Sequence, residues 1–342
     1  TNYTRLMFRS SDKLRFYSNQ HDLETNRLFR DPAAWYHIMV TWDTTQGTAA
    51  NRVKMYVNGV QETSFATESY PDEDDLMQFF IDTKDLDIAR NVAGSDDYFD
   101  GYMAEFVVLE GTAAAATDFG EFNSDSPTIW QPINHSQSGN KGANGFYLDF
   151  EDSANLGNDK YGGTDFTETN LAATDQASDS PTNNFCTFIS NVTSSYTDLS
   201  QGGLITTGNT SSDNGNSLAS FGMTNGKWYW EFEWDNIVSG YGVVGVIDTT
   251  DDEFGHQGTN GGAGYAVPNG YNISTGGNMS NGSSEESGWA ADYSNGDVLG
   301  MALDMDNGAW YLHLNGTYYD SGDPTSGGSK TCLLYTSDAA DE

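Results

Sequence analysis

Three carboxylates stand at alternate positions in the run Glu231-Phe-Glu233-Trp-Asp235. In an extended backbone, period two puts Glu231, Glu233 and Asp235 on one face. Two such groups roughly 5 Å apart are what retaining glycoside hydrolysis requires. The competing reading is an acidic stripe turned to solvent, opposite Trp228, Trp230, Phe232 and Trp234 or a subset of them, and we adopt the stripe. Acid-rich text can also hold calcium, a hard cation that takes about 6–8 oxygens. The densest clusters are Asp72-Glu73-Asp74-Asp75 and Asp248, Asp251, Asp252 with Glu253. Asp248, Asp251 and Asp252 are the candidate ligands, weighed against simple solvated charge. In Asp304-Met-Asp306-Asn307-Gly308 the glycine comes one place early for an EF-hand loop and the later Glu is missing. No cofactor is expected, with calcium the single candidate.

Aromatic rings set in Gly-, Asn- and Ser-rich text suit sugar stacking, because a pyranose face is apolar and its rim polar. Tyr265, Tyr271, Trp289 and Tyr293 fit this description in the second half and Trp130 in the first. Core packing is the alternative for each of them. His21, His37, His135, His256 and His313 show no zinc-ligand spacing, and His37 and His313 fall inside strand-like runs. There is no Gly-x-Ser-x-Gly elbow, phosphate loop or Cys/His pairing to support nucleophilic or nucleotide chemistry.

The elements that must carry these residues are strands. Trp35–Trp42 mixes aromatic and β-branched residues. Val53–Val57 alternates, turns at Asn58-Gly59 and returns through Val60–Thr63, a hairpin signature because Asn-Gly tolerates positive φ. Tyr98–Leu109 reads as a long core strand, and Glu110–Asp118 as the best helical stretch. In the second half Lys227–Trp234, Tyr241–Ile247 and Asp297–Asp304 read as strands. Ala309–Leu314 follows, with a second hairpin turn at Asn315-Gly316. Residues 152–181, rich in Asn, Asp, Gly, Ser and Thr, read as an irregular connector anchored near Phe166 and Leu171.

The 342 residues carry 14 Lys+Arg against 50 Asp+Glu, a formal net charge of −36. Residues 1–150 hold 11 basic and 23 acidic side chains, and residues 151–342 hold 3 and 27. This balance excludes a general nucleic-acid binder and docking on anionic membranes. Neutral glycans, cations and basic protein surfaces remain as partners. The aromatic content, 13%, excludes a disordered acidic tail. Two Cys exclude a disulfide scaffold and a four-Cys zinc module. No apolar run reaches the roughly 18 residues of a spanning helix, so no membrane insertion is expected. The first residue is Thr1, and Cys332–Glu342 resembles a translated sequencing adapter, so residues 332–342 are set outside the fold. Cys186 is then the single native thiol, in keeping with folding in a reducing cytoplasm.

Several stretches carry a family likeness. FRDPAAWYHIMVTWDTTQ at Phe29–Gln46, NRVKMYVNGVQ at Asn51–Gln61 and YFDGYMAEFVVLEGT at Tyr98–Thr112 are the main carriers in the first half. DFGEF at Asp118–Phe122, Trp130, GFYLDFED at Gly145–Asp152 and DSPTNNF at Asp179–Phe185 continue them. Together they resemble the concanavalin A-like, laminin G-like sandwich domains of marine and environmental tailed-phage structural proteins. The likeness implies that strands usually found before Leu14 are missing, and that loop rims can hold calcium. Glycosidases of this superfamily use a Glu-x-Asp-x-x-Glu strand, and the order at Glu231–Asp235 differs from it. GKWYWEFEW at Gly226–Trp234, YGVVGVID at Tyr241–Asp248, GYAV at Gly264–Val267 and DVLGMALDMDNGAWYLHLNGTYY at Asp297–Tyr319 resemble a SPRY (B30.2-like) domain.

The fold class expected is all-β: two tandem antiparallel β-sandwiches, a concanavalin A-like jelly roll over residues 1–150 and a SPRY-like sandwich over residues 183–331. A connector, residues 151–182, joins them. The resemblance implies a non-enzymatic virion component, a tail-fibre, tail-associated or decoration protein. It would be made in the bacterial cytoplasm and bind host surface polysaccharide or protein through its loops, beside other virion proteins. A purely structural interaction module is the alternative, and a polysaccharide depolymerase the third reading.

Overall fold

The computed structural model describes residues 3–19, 21–76, 86–90, 98–135, 141–190, 193, 195–209, 215–237, 242–247, 270–281, 284–286, 292–331 and 334–335. The chain is all-β and antiparallel wherever register is defined, with one four-residue helix, Ala49–Arg52, among the described residues. It divides into two compact units. The first is Thr1–Thr187 with Ser200–Ile205, and the second is Phe188–Leu199 with Thr206–Glu342.

In the first unit β1 (Thr4–Phe8), β2 (Leu14–Ser18), β3 (His21–Thr25) and β7 (Phe65–Ser69) form one sheet in that order. β4 (Ile38–Trp42), β5 (Val53–Val57) and β6 (Val60–Gln61) form another. Alternation decides how they pack: β2 and β5 both bury every second residue. Leu14, Phe16 and Leu23 from one sheet meet Val53 and Met55 from the other, with Ile38, Val40, Trp42 and Phe65 closing the layer. This is a sandwich core. β1 lies before Leu14, where no strand was expected; its Arg5 and exposed Leu6 and Phe8 give it no buried alternation to read.

Short pairs follow: β8 (Phe106–Val108) with β11 (Phe146–Leu148), and β9 (Gly120–Phe122) with β10 (Trp130–Pro132). The long strand expected over Tyr98–Leu109 is interrupted. Tyr98 makes only an isolated bridge to Arg90, and Glu105 has φ 57°, which ends an extended backbone until Phe106. The helix expected at Glu110–Asp118 is a single 3-10 turn, Ala116–Asp118. Gly111 has φ 76°, and what remains is too short to nucleate a helix. Residues 152–181 hold a 3-10 turn at Ala173–Asp175 and otherwise turns and bends, with Phe166 packed on Phe146 at 4.8 Å, whereas Leu171 is exposed.

β12 (Thr197–Ser200) pairs with β13 (Ile205–Gly208). The second unit has two larger sheets. β14 (Lys227–Trp234), β19 (Asp297–Asp304), β20 (Ala309–Leu314) and β21 (Thr317–Tyr318) form a long sheet. A second sheet holds β15 (Val243–Ile247), β16 (Gly270–Ser274), β17 (Met279–Asn281) and β18 (Ser284–Glu286). Leu299, Met301, Leu303, Trp310 and Leu312 of the long sheet pack with Trp230 and Trp234 against Val244, Val246, Ile273 and Met279 of the second. β22 (Leu334–Tyr335) pairs with Ala309–Trp310, so part of the segment set outside the fold extends the sheet.

Both hairpin turns form as expected, with positive φ at Asn58 (48°) and Gly59 (74°), and at Asn315 (49°) and Gly316 (83°). Each asparagine also reaches back to the strand before its hairpin. Asn58 N donates to His37 O at 2.9 Å while its Oδ1 accepts from His37 N at 2.8 Å. Asn315 N donates to Val298 O and its Oδ1 accepts from Val298 N, both at 2.9 Å. One side chain thus adds a rung to the ladder in each unit. Asn315→Ala is expected to lower stability by about 1–2 kcal/mol, and Asn315→Gly, which keeps the positive φ, by less. Urea unfolding followed by tryptophan fluorescence measures the difference.

Candidate functional site

Two concavities are candidates, one in each unit. In the first unit, segments 100–102, 174–177 and 201–202 enclose a hollow of about 230 Å³. Tyr102 is half exposed, and its hydroxyl accepts a 2.9 Å hydrogen bond from Gly202 N, which fixes the ring at the rim. That approach uses a left-handed turn, with φ 52° at Gln201 and 72° at Gly202. Asp175 accepts from Ala172 N at 2.7 Å, and Gln176 Nε2 donates to Phe150 O and Glu151 O. Asp100, Thr174 and Gln201 complete a polar wall around one ring. An exposed aromatic ring set among polar side chains is what a small polar ligand would need at this hollow.

In the second unit the outer face of the long sheet carries a cleft of about 240 Å³. Register builds it. Tyr229, Ala302 and Tyr311 share one rung, and Glu231, Gly300, His313 and Tyr318 the next. The short side chain of Ala302 leaves a trough between Tyr229 and Tyr311, which Lys227, Asp304, Tyr318 and Pro324 also line. At Gly300 a Cβ would come within 1.9 Å of the His313 ring, so the glycine lets that ring lie on the sheet. His313 Nδ1 accepts from Gly316 N at 3.0 Å, which places the ring proton on Nε2. Nε2 then donates to the Tyr229 hydroxyl at 2.8 Å, and Tyr229 donates to Glu231 Oε1 at 2.5 Å. Burial and the Glu231 carboxylate push the Tyr229 phenol up to about 12. At the rim Lys227 pairs with the buried Asp304 at 3.0 Å. Burial pushes the Asp304 carboxyl up, but hydrogen bonds from Asn307 and Lys227 outweigh it and the net shift is downward.

The residues singled out from sequence scatter. Trp130 packs its indole on the Gly59 and Gly120 backbones, stacks on His37 at 5.7 Å and meets Phe122 edge-on. It straps the β9–β10 pair to the first hairpin. Tyr293 is 6% exposed and belongs to the core, and Tyr271 packs against the same cluster. The Tyr293 ring is enclosed by the core, while Tyr271 is half-buried against it. Tyr265, Trp289, Asp248, Asp251 and Asp252 lie outside the described residues. Asp72, Glu73 and Asp74 are exposed, Glu73 lies 3.6 Å from Arg52, and Asp75 bonds His21 at 3.0 Å. Among the described residues no three His, Cys, Asp or Glu side chains gather as a metal set. Glu231, Glu233 and Asp235 are exposed opposite half-buried Trp230, Phe232 and Trp234, as a stripe would be. Tyr102 and Tyr229 were missed. For Tyr229 the signal was available, since period two places it on the Glu231 face.

His37 offers a pH test of the first unit. Burial holds its imidazole below the ordinary 6.5, and Nδ1 has no partner. The unfolded chain therefore takes up the proton first, so this group's contribution is complete above about pH 6.5 and lost as pH falls. The drop in thermal midpoint between pH 7 and pH 5.5 should shrink in His37→Phe. In the second unit Gly300→Ala should cost about 1–3 kcal/mol by overpacking and shift the His313 imidazole resonances in NMR spectra.

No curated protein matches this chain. Residues 1–117 match the family model described as the concanavalin A-like lectin/glucanases superfamily, a laminin G-like domain, and the first unit therefore carries a domain of that kind.

Proposed function

We propose that this chain is a non-enzymatic binding protein of a tailed-phage virion, a tail-fibre, tail-associated or decoration component that recognises host surface polysaccharide. The observation that carries the reading is the hollow at Tyr102, whose Asp100-Gly101-Tyr102 wall lies inside the concanavalin A-like match. A pyranose stacks on the Tyr102 ring while Asp100, Thr174 and Gln201 bond its hydroxyls. The net charge of −36 favours neutral over anionic glycans and gives nucleic acid no foothold. The second unit is read as a SPRY-like sandwich, supported by its two facing antiparallel sheets and its aromatic strand β14. That unit would contact other proteins of the virion.

One open site binds weakly, and several copies on a particle raise the avidity. The full chain displayed on multivalent beads should therefore retain neutral host glycans on an array. Tyr102→Ala should reduce that retention about tenfold, the loss of one stacking contact of about 1.4 kcal/mol. Retention unchanged in Tyr102→Ala would remove the hollow from the reading. Cleavage of the polysaccharide, abolished by Glu231→Gln or Glu233→Gln, would make the chain a depolymerase instead.

A further inference from the structure

We propose that the cleft on the outer face of the second unit's long sheet binds a basic polypeptide segment, with an arginine side chain laid on the Tyr229 ring and its guanidinium held by Glu231. The proposal is independent of the glycan reading, which concerns the first unit.

Four observations lead to it. First, Tyr229 is 54% exposed and Trp228 38%, on a strand whose Trp230 and Trp234 pack against the core. An open ring face attracts a cation through its quadrupole. Second, Glu231 stands one same-face position along β14 from Tyr229, next to the residues that line the cleft; it is exposed and accepts from Tyr229 through Oε1 alone among the described bonds, which leaves its other oxygen open. A guanidinium stacked on a ring can turn its N–H edge to such a carboxylate. Third, the ring is already oriented. His313 donates to the Tyr229 hydroxyl and its ring stacks on that of Tyr229 at 5.9 Å, so little side-chain freedom is lost on binding. Fourth, the charge is one-sided. Residues 206–342 contain two Lys, no Arg and nineteen Asp or Glu. Of those lysines, Lys227 lines the cleft and is paired with Asp304, whose carboxylate offsets its charge there. Glu233 lies two positions along the same face and extends the acceptor row.

A neutral sugar would also stack on Tyr229, yet it would gain nothing from this field. A basic segment is drawn in by it and held at two points.

The test uses the full chain and a fluorescent peptide of alternating Arg and Gly, read by anisotropy across a salt series. Binding should weaken as salt rises. Glu231→Gln, which preserves side-chain shape, should weaken binding about tenfold. Tyr229→Ala should weaken it about threefold. Asp72→Asn, which removes an equal charge in the first unit, should change it less than twofold. Equal losses in Glu231→Gln and Asp72→Asn would mean diffuse attraction to an acidic chain and would overturn the proposal. So would Tyr229→Ala binding as tightly as the parent. Displacement of the peptide by a neutral hexasaccharide would assign the cleft to glycan instead.

Discussion

Carboxylates accepting hydrogen bonds from backbone N–H groups hold the irregular parts of this chain in place. With 50 acids and 14 bases, ion pairing cannot neutralise the acidic side chains. The turns use them instead. Asp159, 4% exposed, accepts from Tyr147, Tyr161 and Gly163 N, and Asp165 in turn accepts from Asp159 N. Glu168 takes Gly157 N and Glu110 takes Ala143 and Asn144 N. A loop N–H left without a partner is costly, and a charged acceptor forms the stronger bond. The long stretch between strands can therefore be ordered without a helix or a large apolar anchor.

The two concavities depend on the same device. At the hollow, Asp175 closes the turn from Ala172 that presents Thr174 and Gln176. At the cleft, Asp304 accepts from Asn307 N and Asp306 from Gly226 N, which ties the start of β14 to the turn after β19. Acids used in this way are not available to a partner. Glu231 and Glu233 differ, since they point away from the core on a regular strand whose backbone bonds are already made by the ladder. The chain thus separates structural carboxylates in loops from exposed ones on a sheet.

The fold was legible where a physical rule of short range governed it. Asn58-Gly59 and Asn315-Gly316 marked hairpins, β14 announced itself by its alternating aromatic residues, and β19 by an apolar run leading into the Asp306-Asn307-Gly308 turn. The reach of each asparagine to a third strand was not legible, because it depends on tertiary pairing. The strand expected over Tyr98–Leu109 failed because Glu105 takes a positive φ that nothing in its neighbours signals. At the sites, rings in polar text misled: Tyr293 sits next to Asp292 and Ser294 yet turns into the core. Local polarity describes the backbone's neighbours and not the direction of the side chain. Tyr102 could not have been found without the fold, since its hollow joins three segments about 100 residues apart at the extremes.

An NMR titration of the side-chain carboxyl carbons tests the loop-holding role most directly. Hydrogen bonds to backbone and side-chain donors place Asp43, Glu110, Asp165, Asp297 and Asp323 below the ordinary carboxylate range. Each such group stabilises the fold above its unfolded pKa and ceases to do so as pH falls through its lower folded value. Midpoints below those of free Asp and Glu, with loop amides losing protection as those groups take up protons, are the expected result. Midpoints at ordinary values, with the loop amides still protected at low pH, would contradict it.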